Sequence, residues 1–320
     1  MTGLVVNKKI NVRTEYRRNA RAMMHKLVRT GSFELHGLTP SGTIEKREGT
    51  VDELHGMLGF VDSIDVYNRE NTSEPQSKEL TGKELVYRKF LLYKDFYAAH
   101  RPVILCEGPT DNVYLTHAIR SLAAEFPELV EVNAQGKKLL KVRLYKYARS
   151  STAGILELGT GGSGALSKLI TLYKEETEKF TAPGPNPVII FYDNDSGGKG
   201  VQAAIGKVSK RKVSGTEPFV YVVKNMYAVP TPLNGQISSM VEDFFDVATK
   251  QIPVDGKTFN PTNGKIKEAT EYGKTVFAHR VVSPHAEKID FTGFRPILTN
   301  LSAAIRAYAD AISGAAASAD

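Results

Sequence analysis

Apolar positions recur along this chain at two different periods, and the change of period divides it. From Thr14 to Arg29 the pattern is helical, with Tyr16, Ala20, Met23, Met24 and Leu27 on one stripe. Before it, Leu4, Val5 and Val6 read as a strand entering a turn at Asn7-Lys8-Lys9. Gly31, Gly37, Pro40 and Gly42 mark loops, and Leu54, Met57, Leu58 and Val61 align on a second helix over Val51–Val61. Residues 67–79, Y-N-R-E-N-T-S-E-P-Q-S-K-E, are polar and turn-rich and read as a linker. Thr81 with Glu84 three residues on predicts a capping box for a helix reaching about Ala99.

Beyond that helix, short apolar runs alternate with helical stripes. Strands are predicted over Pro102–Cys106, Lys141–Tyr147, Ile155–Leu158, 187–192 and 218–223. Helices are predicted from Thr110, with Leu115, Ala118, Ile119, Leu122 and Phe126 as its stripe, and over 164–180, 199–210 and 239–250. Such alternation predicts an α/β fold whose mostly parallel sheet is flanked by helices on both faces. Residues 251–295 have little periodicity, whereas Ile297, Leu301, Ile305, Tyr308 and Ile312 predict a helix over Pro296–Ile312 before a frayed tail. No internal repeat is evident.

Composition adds a compartment and a partner. The chain has 320 residues, 41% hydrophobic and 24% charged, as in a soluble globular protein. Its single cysteine, Cys106, lies in an apolar strand, which excludes a disulfide framework and points to a reducing, cytoplasmic setting. There is no signal-peptide core and no apolar run near the roughly 20 residues that span a bilayer, so no membrane partner is expected. Formal net charge is +7, and the excess is concentrated. Lys8, Lys9, Arg13, Arg17, Arg18, Arg21, Lys26 and Arg29 face only Glu15 over that stretch, with Arg13, Arg17 and Arg21 in one row. A block this dense favours a polyanionic partner, although a solvated helical face has the same composition.

The chemistry gathers where predicted strands end. R-P-V-I-L-C-E-G-P-T-D places Glu107 at the end of one strand and Asp111 four residues later. V-I-I-F-Y-D-N-D ends a second strand in Asp193 and Asp195, which in an extended segment point to one side. Ligands of parallel sheets collect at these carboxyl ends. Oxygen-only ligation suits Mg²⁺ or Mn²⁺, and paired ions of this kind serve phosphodiester hydrolysis. Taken singly, each string is an ordinary turn or helix cap. Between them, Gly159, Gly161, Gly162 and Gly164 fit G-x-G-x-x-G after an expected strand, which keeps a dinucleotide-binding enzyme open. The acid that fingerprint requires about 20 residues on falls late, at Asp193. Glu242, beside Asp243, is a further candidate ligand, though acids at a helix start have the same pattern. Lys274 is a candidate cation for a strained phosphate; His279, His285 and Lys288 are weaker candidates.

Together, I-L-C-E-G-P-T-D, L-G-T-G-G-S-G and I-I-F-Y-D-N-D resemble, over residues 100–250, the TOPRIM domain shared by topoisomerases, bacterial primases and the overcoming-lysogenization-defect nucleases. The resemblance implies that Glu107 is a general acid/base or metal ligand and that Asp193 and Asp195 bind metal. It also gives Asp111 a counterpart in those nucleases, and Lys274 resembles their late lysine. No ATPase P-loop and no topoisomerase tyrosine domain accompany these motifs, so strand passage is not expected. The first seventy residues, with M-T-G-L-V-V-N-K-K-I-N-V-R, R-R-N-A-R-A-M-M-H-K-L and L-H-G-M-L-G-F-V-D-S-I, resemble the palm end and helical thumb of retron and group II intron reverse transcriptases.

The joint resemblance is to the carboxyl-terminal part of a retron-type reverse transcriptase, an RNA-directed DNA polymerase, that carries a TOPRIM domain. It implies a thumb fragment over 1–66, a linker and connecting helix over 67–98, a nuclease domain over 99–250 and an extension over 251–320. The polymerase's Y-x-D-D strand would lie upstream of Met1, so polymerisation is not expected of this chain. Implied partners are the retron noncoding RNA and its reverse-transcribed DNA, with Lys8, Lys9, Arg13, Arg17, Arg18 and Arg21 as contacts. The implied role is phage defence, and oligomeric state is left open, a homo-oligomer included. A catalytically idle nucleic-acid scaffold is the competing expectation.

Overall fold

Local signals place most helix ends. In the computed structural model, which describes residues 4–6, 9–38, 44–71, 79–147, 151–159, 161–182, 184–262 and 266–317, the chain forms two compact units. Unit 1 comprises Met1–Ala98, Ser150–Leu156 and Glu175–Gly184; unit 2 comprises Ala99–Arg149, Glu157–Lys174 and Pro185–Asp320. The boundaries differ from a linear series of domains, because two internal segments of the expected nuclease region cluster with the first hundred residues. No described helix is long and apolar enough to cross a membrane.

Unit 1 opens with an antiparallel hairpin of β1 (Leu4–Val6) and β2 (Ile10–Val12). Helix α1 (Thr14–Thr30) buries Ala20, Met24, Leu27 and Val28, and Gly31 closes it at φ 80°, donating to the Leu27 carbonyl. Gly37, expected to mark a loop, instead lies within β3 (Glu34–Leu38), which pairs antiparallel with β4 (Ile44–Glu48); Pro40 and Gly42 lie outside the described residues. The apolar residues of this pair, Leu35, Leu38 and Ile44, do not fall at alternate positions, so no two-residue period betrays it. Thr50 and Glu53 form a capping box for α2 (Val51–Glu70), which runs a further nine residues beyond the expected Val61. The linker is thus helical up to Glu70, and residues 72–78 lie outside the described set. Thr81 and Glu84 cap α3 (Gly82–Leu92), which continues as a wide turn over Tyr93–Tyr97.

Unit 2 is mixed α/β. After β5 (Val103–Leu105) come α4 (Pro109–Ser121), a hairpin of β6 (Val130–Val132) and β7 (Lys138–Leu140), and β8 (Arg143–Leu144). Helix α5 (Ser151–Ile155), which belongs to unit 1, and α6 (Ser163–Thr177), whose last turn from Glu175 does too, precede β9 (Val188–Tyr192), α7 (Gly198–Ser209), β10 (Val220–Val223) and β11 (Met226–Pro230). The sheet runs β10-β11-β9-β5-β8, parallel except for β10 at its edge. Sequence reasoning missed β11, a five-residue strand that pairs directly with β9. Every residue of β5, β9 and β11 is buried, so both sheet faces are covered.

One face, with Ile104, Ile189, Phe191, Tyr227 and Val229, shares a core with α4 and with residues 241–308. In that last region the helix expected over 239–250 is instead a 3₁₀ turn (Val241–Phe244) and α8 (Val247–Lys250). Short β12 (Thr258–Phe259) and β13 (Glu271–Tyr272), α9 (Lys274–Val276), a wide turn over Phe277–Val282 and α10 (Ser283–His285) precede α11 (Arg295–Ala317). Aperiodic sequence there is aromatic packing: Phe245 meets Tyr114, Phe277, Phe291 and Phe294 with ring centres 4.9–5.8 Å apart.

Candidate functional site

The register Val103↔Val188, Ile104↔Ile189, Leu105↔Ile190 brings the carboxyl ends of β5 and β9 level. Glu107 and Asp193 therefore emerge side by side. Glu107 is half-buried, and its Oε2 has no hydrogen-bond partner. Burial and the neighbouring Asp195 charge hold its carboxyl above the ordinary range, against N–H groups of Asp193 and Ser163 and the Lys274 ammonium.

The glycine loop supports this strand end. The Gly162 N–H donates to the Glu107 carbonyl at 2.7 Å, and a Cβ on Gly161 would meet that same oxygen at 2.5 Å. Gly161 and Gly162 both lie at positive φ, 93° and 95°. Gly159 is also at positive φ, whereas Gly164 lies inside α6 with open space around it. The strand expected over Ile155–Leu158 is absent: α5 ends at Ile155, so the loop does not follow a strand as the dinucleotide fingerprint requires. Tyr147 closes the other side by donating to the Cys106 carbonyl. The expected strand over 141–147 reduces to Arg143–Leu144.

Strand β9 ends at Tyr192, so strict alternation does not carry through D-N-D. Asp193 is buried, and its Oδ1 accepts the Val241 N–H at 2.9 Å. Asn194 exchanges backbone hydrogen bonds with Ser239, at 2.9 and 3.0 Å, and donates to the Gly215 and Thr231 carbonyls. Asp195 instead accepts the Gly198 N–H at 2.9 Å and turns the chain into α7. Tightness here demands glycine: a Cβ on Gly198 would meet the Asp193 carbonyl oxygen at 2.0 Å. A Cβ on Gly197 would lie 3.2 Å from Asp195 Oδ1, 3.5 Å from Ser163 Oγ and 3.9 Å from Glu107 Oε1, which places those groups around one point.

Behind this outer pair is a deeper group. Asp111, third residue of α4, accepts the Gly108 N–H at 2.8 Å and is buried. Glu242 is fully buried, with no hydrogen-bond partner for Oε1, and Lys274 Nζ lies 3.0 Å from its Oε2. Burial and the Glu242 charge push Asp111 up to about 7. Burial, with Asp111 and Glu242, pushes Asp193 up to about 9. Burial raises Glu242 as well, against the Lys274 ammonium. Burial lowers the Lys274 ammonium, but Glu242, Asp193 and Asp111 outweigh it and hold it above the ordinary lysine range. Lone buried carboxylates at such proximity favour either protons or a cation.

The structure thus joins Glu107, Asp111, Asp193, Asp195, Glu242 and Lys274. It leaves out Asp243, which caps the Met240 N–H, and the exposed His279, His285 and Lys288. Sequence reasoning missed Ser163, Tyr147, Gly197 and the Val241 N–H; only the last two glycines of D-N-D-S-G-G carried a readable signal. The donor set, oxygen-only with orphaned atoms on Glu107 and Glu242, fits a hard cation in kind. Among the described residues, though, no three His, Cys, Asp or Glu side chains stand close enough to form a ready-made metal cage. Of the basic row, Lys8 lies outside the described residues; Arg13, Arg18 and Arg21 are exposed on or beside α1, and Lys9 and Arg17 half-buried. No protein-family model matches this chain, and no solved structure matches it.

Proposed function

We propose that unit 2 is a TOPRIM-like nuclease that hydrolyses phosphodiester bonds of nucleic acid with Mg²⁺ or Mn²⁺. The observation that supports this most is the convergence of Glu107, Asp193 and Asp195 at adjacent parallel strand ends, backed by buried Asp111 and Glu242 with the Lys274 ammonium beside them. Glu107, Asp193 and Asp195 would hold the cation, which when bound polarises a phosphate oxygen and activates water. The chain's own part is to orient. The Val241 and Gly198 N–H groups fix the two aspartates, and the glycine turn fixes Glu107 through its carbonyl. Lys274 neutralises Glu242 and keeps the acids together. The basic helix α1 is the proposed reverse-transcriptase-like thumb that binds the retron's RNA and DNA, with phage defence as the biological outcome.

Purified chain incubated with labelled RNA and DNA tests this. Cleavage is expected with Mg²⁺ and absent with chelator. Glu107→Gln and Asp193→Asn should each lower the rate by about 100-fold or more. Cleavage that survives both substitutions would remove the assignment.

A further inference from the structure

Unit 1 contains a trough that the site above does not use. Two cavities, of about 370 and 710 Å³, share Arg21, Gly82 and Val86 and so run into one another. One wall is the face of α1 from Thr14 to Arg29, about 23 Å long at 1.5 Å per residue. The other wall is α3, with Lys83 and Lys89, and the segment carrying Glu176, Lys179 and Thr181 closes one end. Apolar groups from three helices, among them Met24, Val28, Leu58, Val61, Leu85 and Val86, line it between the charges.

Charge balance distinguishes the two walls. Lys83 is paired with Asp65 at 2.5 Å, and Lys89 with Glu176 at 3.3 Å. Along the α1 wall, Arg18, Arg21 and Arg29, and Lys179 at the end, have no carboxylate partner among the described residues. Arg17 donates to Thr14 Oγ1 at 3.2 Å, while its Nε is shielded from solvent without a partner. Unpaired cations beside an apolar strip are held close only at a cost, which a bound polyanion offsets.

We infer that this trough binds single-stranded nucleic acid, its phosphates on Arg17, Arg18, Arg21, Arg29 and Lys179 and its bases against the accessible Leu85 and Val86. A single strand fits because its base faces can reach the apolar strip, whereas a duplex keeps its bases stacked inside and meets only the rim. Only the identity of the polyanion rests on the proposed reading of α1 as a nucleic-acid-binding thumb; the trough and its charge do not. Lys179 and Leu85 lie far in sequence from the basic helix, so neither was a candidate contact.

Binding is read by fluorescence anisotropy in EDTA with a labelled strand of about 12 nucleotides, its annealed duplex and a polyglutamate peptide. Wild type is expected to bind the single strand most tightly. Arg21→Gln and Lys179→Gln should each weaken it several-fold and reduce the slope of log K against log salt by about 0.7. Leu85→Ser should weaken binding with the slope unchanged, and Lys138→Gln, an exposed lysine of unit 2, should do nothing. Tighter binding of duplex or peptide, no binding at all, or a slope untouched by both charge substitutions overturns the inference. Trough binding in a protein that cleaves nothing would sink the nuclease and leave the trough; cleavage without trough dependence would do the reverse.

Discussion

At the residue scale, the acids around Asp193 are held together at a cost in stability. Asp111 and Asp193 have ordinary values near 3.8 and sit at about 7 and about 9 in the folded chain. The folded state therefore holds more protons than the unfolded state through that window, and cation-free stability falls as pH rises from about 4 towards about 9. Urea unfolding in EDTA at pH 5 and pH 8 is expected to show the higher midpoint at pH 5. Asp193→Asn should raise the pH 8 midpoint and flatten the difference; a loss of midpoint at pH 8 would contradict the repulsion. Added Mg²⁺ should stabilise wild type more at pH 8 than at pH 5, since only the ionised acids attract it. Lys274 is the converse case. Lys274→Met leaves Glu242 fully buried and unneutralised, at an expected cost of about 3–5 kcal/mol. Adding Glu242→Gln should recover most of that stability in the same unfolding measurement, without restoring cleavage.

At the element scale, the glycine turn and the two strand ends behave as one part. Gly161 stands at φ 93°, with its Cβ direction 2.5 Å from the Glu107 carbonyl oxygen. Gly161→Ala is expected to cost about 1–3 kcal/mol and to lower cleavage further than the stability loss explains, because the backbone carrying Glu107 must shift. Gly164→Ala, inside α6 with open space, serves as the control and should be neutral or mildly stabilising. The four glycines look equivalent in the sequence. The separation of Gly161 and Gly162 from the tolerant helix residue Gly164 depends on φ and on the neighbouring Glu107 backbone, neither of which a string of letters contains.

At the scale of the whole molecule, residues 251–320 complete unit 2 rather than append to it. Phe277, Phe291, Phe294, Leu298 and Leu301 are fully or nearly fully buried in the core that holds Ile104, Ile189 and Phe191. A chain ending at residue 250 is expected to lose a protected unit 2, read as rapid proteolysis of residues 99–250, whereas a separable 99–250 domain would resist. Phe294→Ala in the full chain should cost about 3–5 kcal/mol in urea unfolding. Lys274 and much of the aromatic core come from this region, so the acidic site is unfinished without it.

The amino-acid sequence by itself determined the helices with caps and stripes, the buried strands β5 and β9, and the acids that follow them. These depend on residues a few positions apart, which apolar runs, Thr–Glu capping boxes and Gly-Pro turns report directly. Tertiary structure alone decided what required distant partners. It inserted β11 beside β9, turned Ile155–Leu158 away from a strand, and set Asp195 on a different N–H from Asp193. It also brought Asp111, Glu242 and Lys274, 163 positions apart at the extremes, into mutual electrostatic reach. Glu107 and Asp193 were legible because strand ends are local features; the depth of their surroundings was not, because burial is contributed by segments that no local pattern can see.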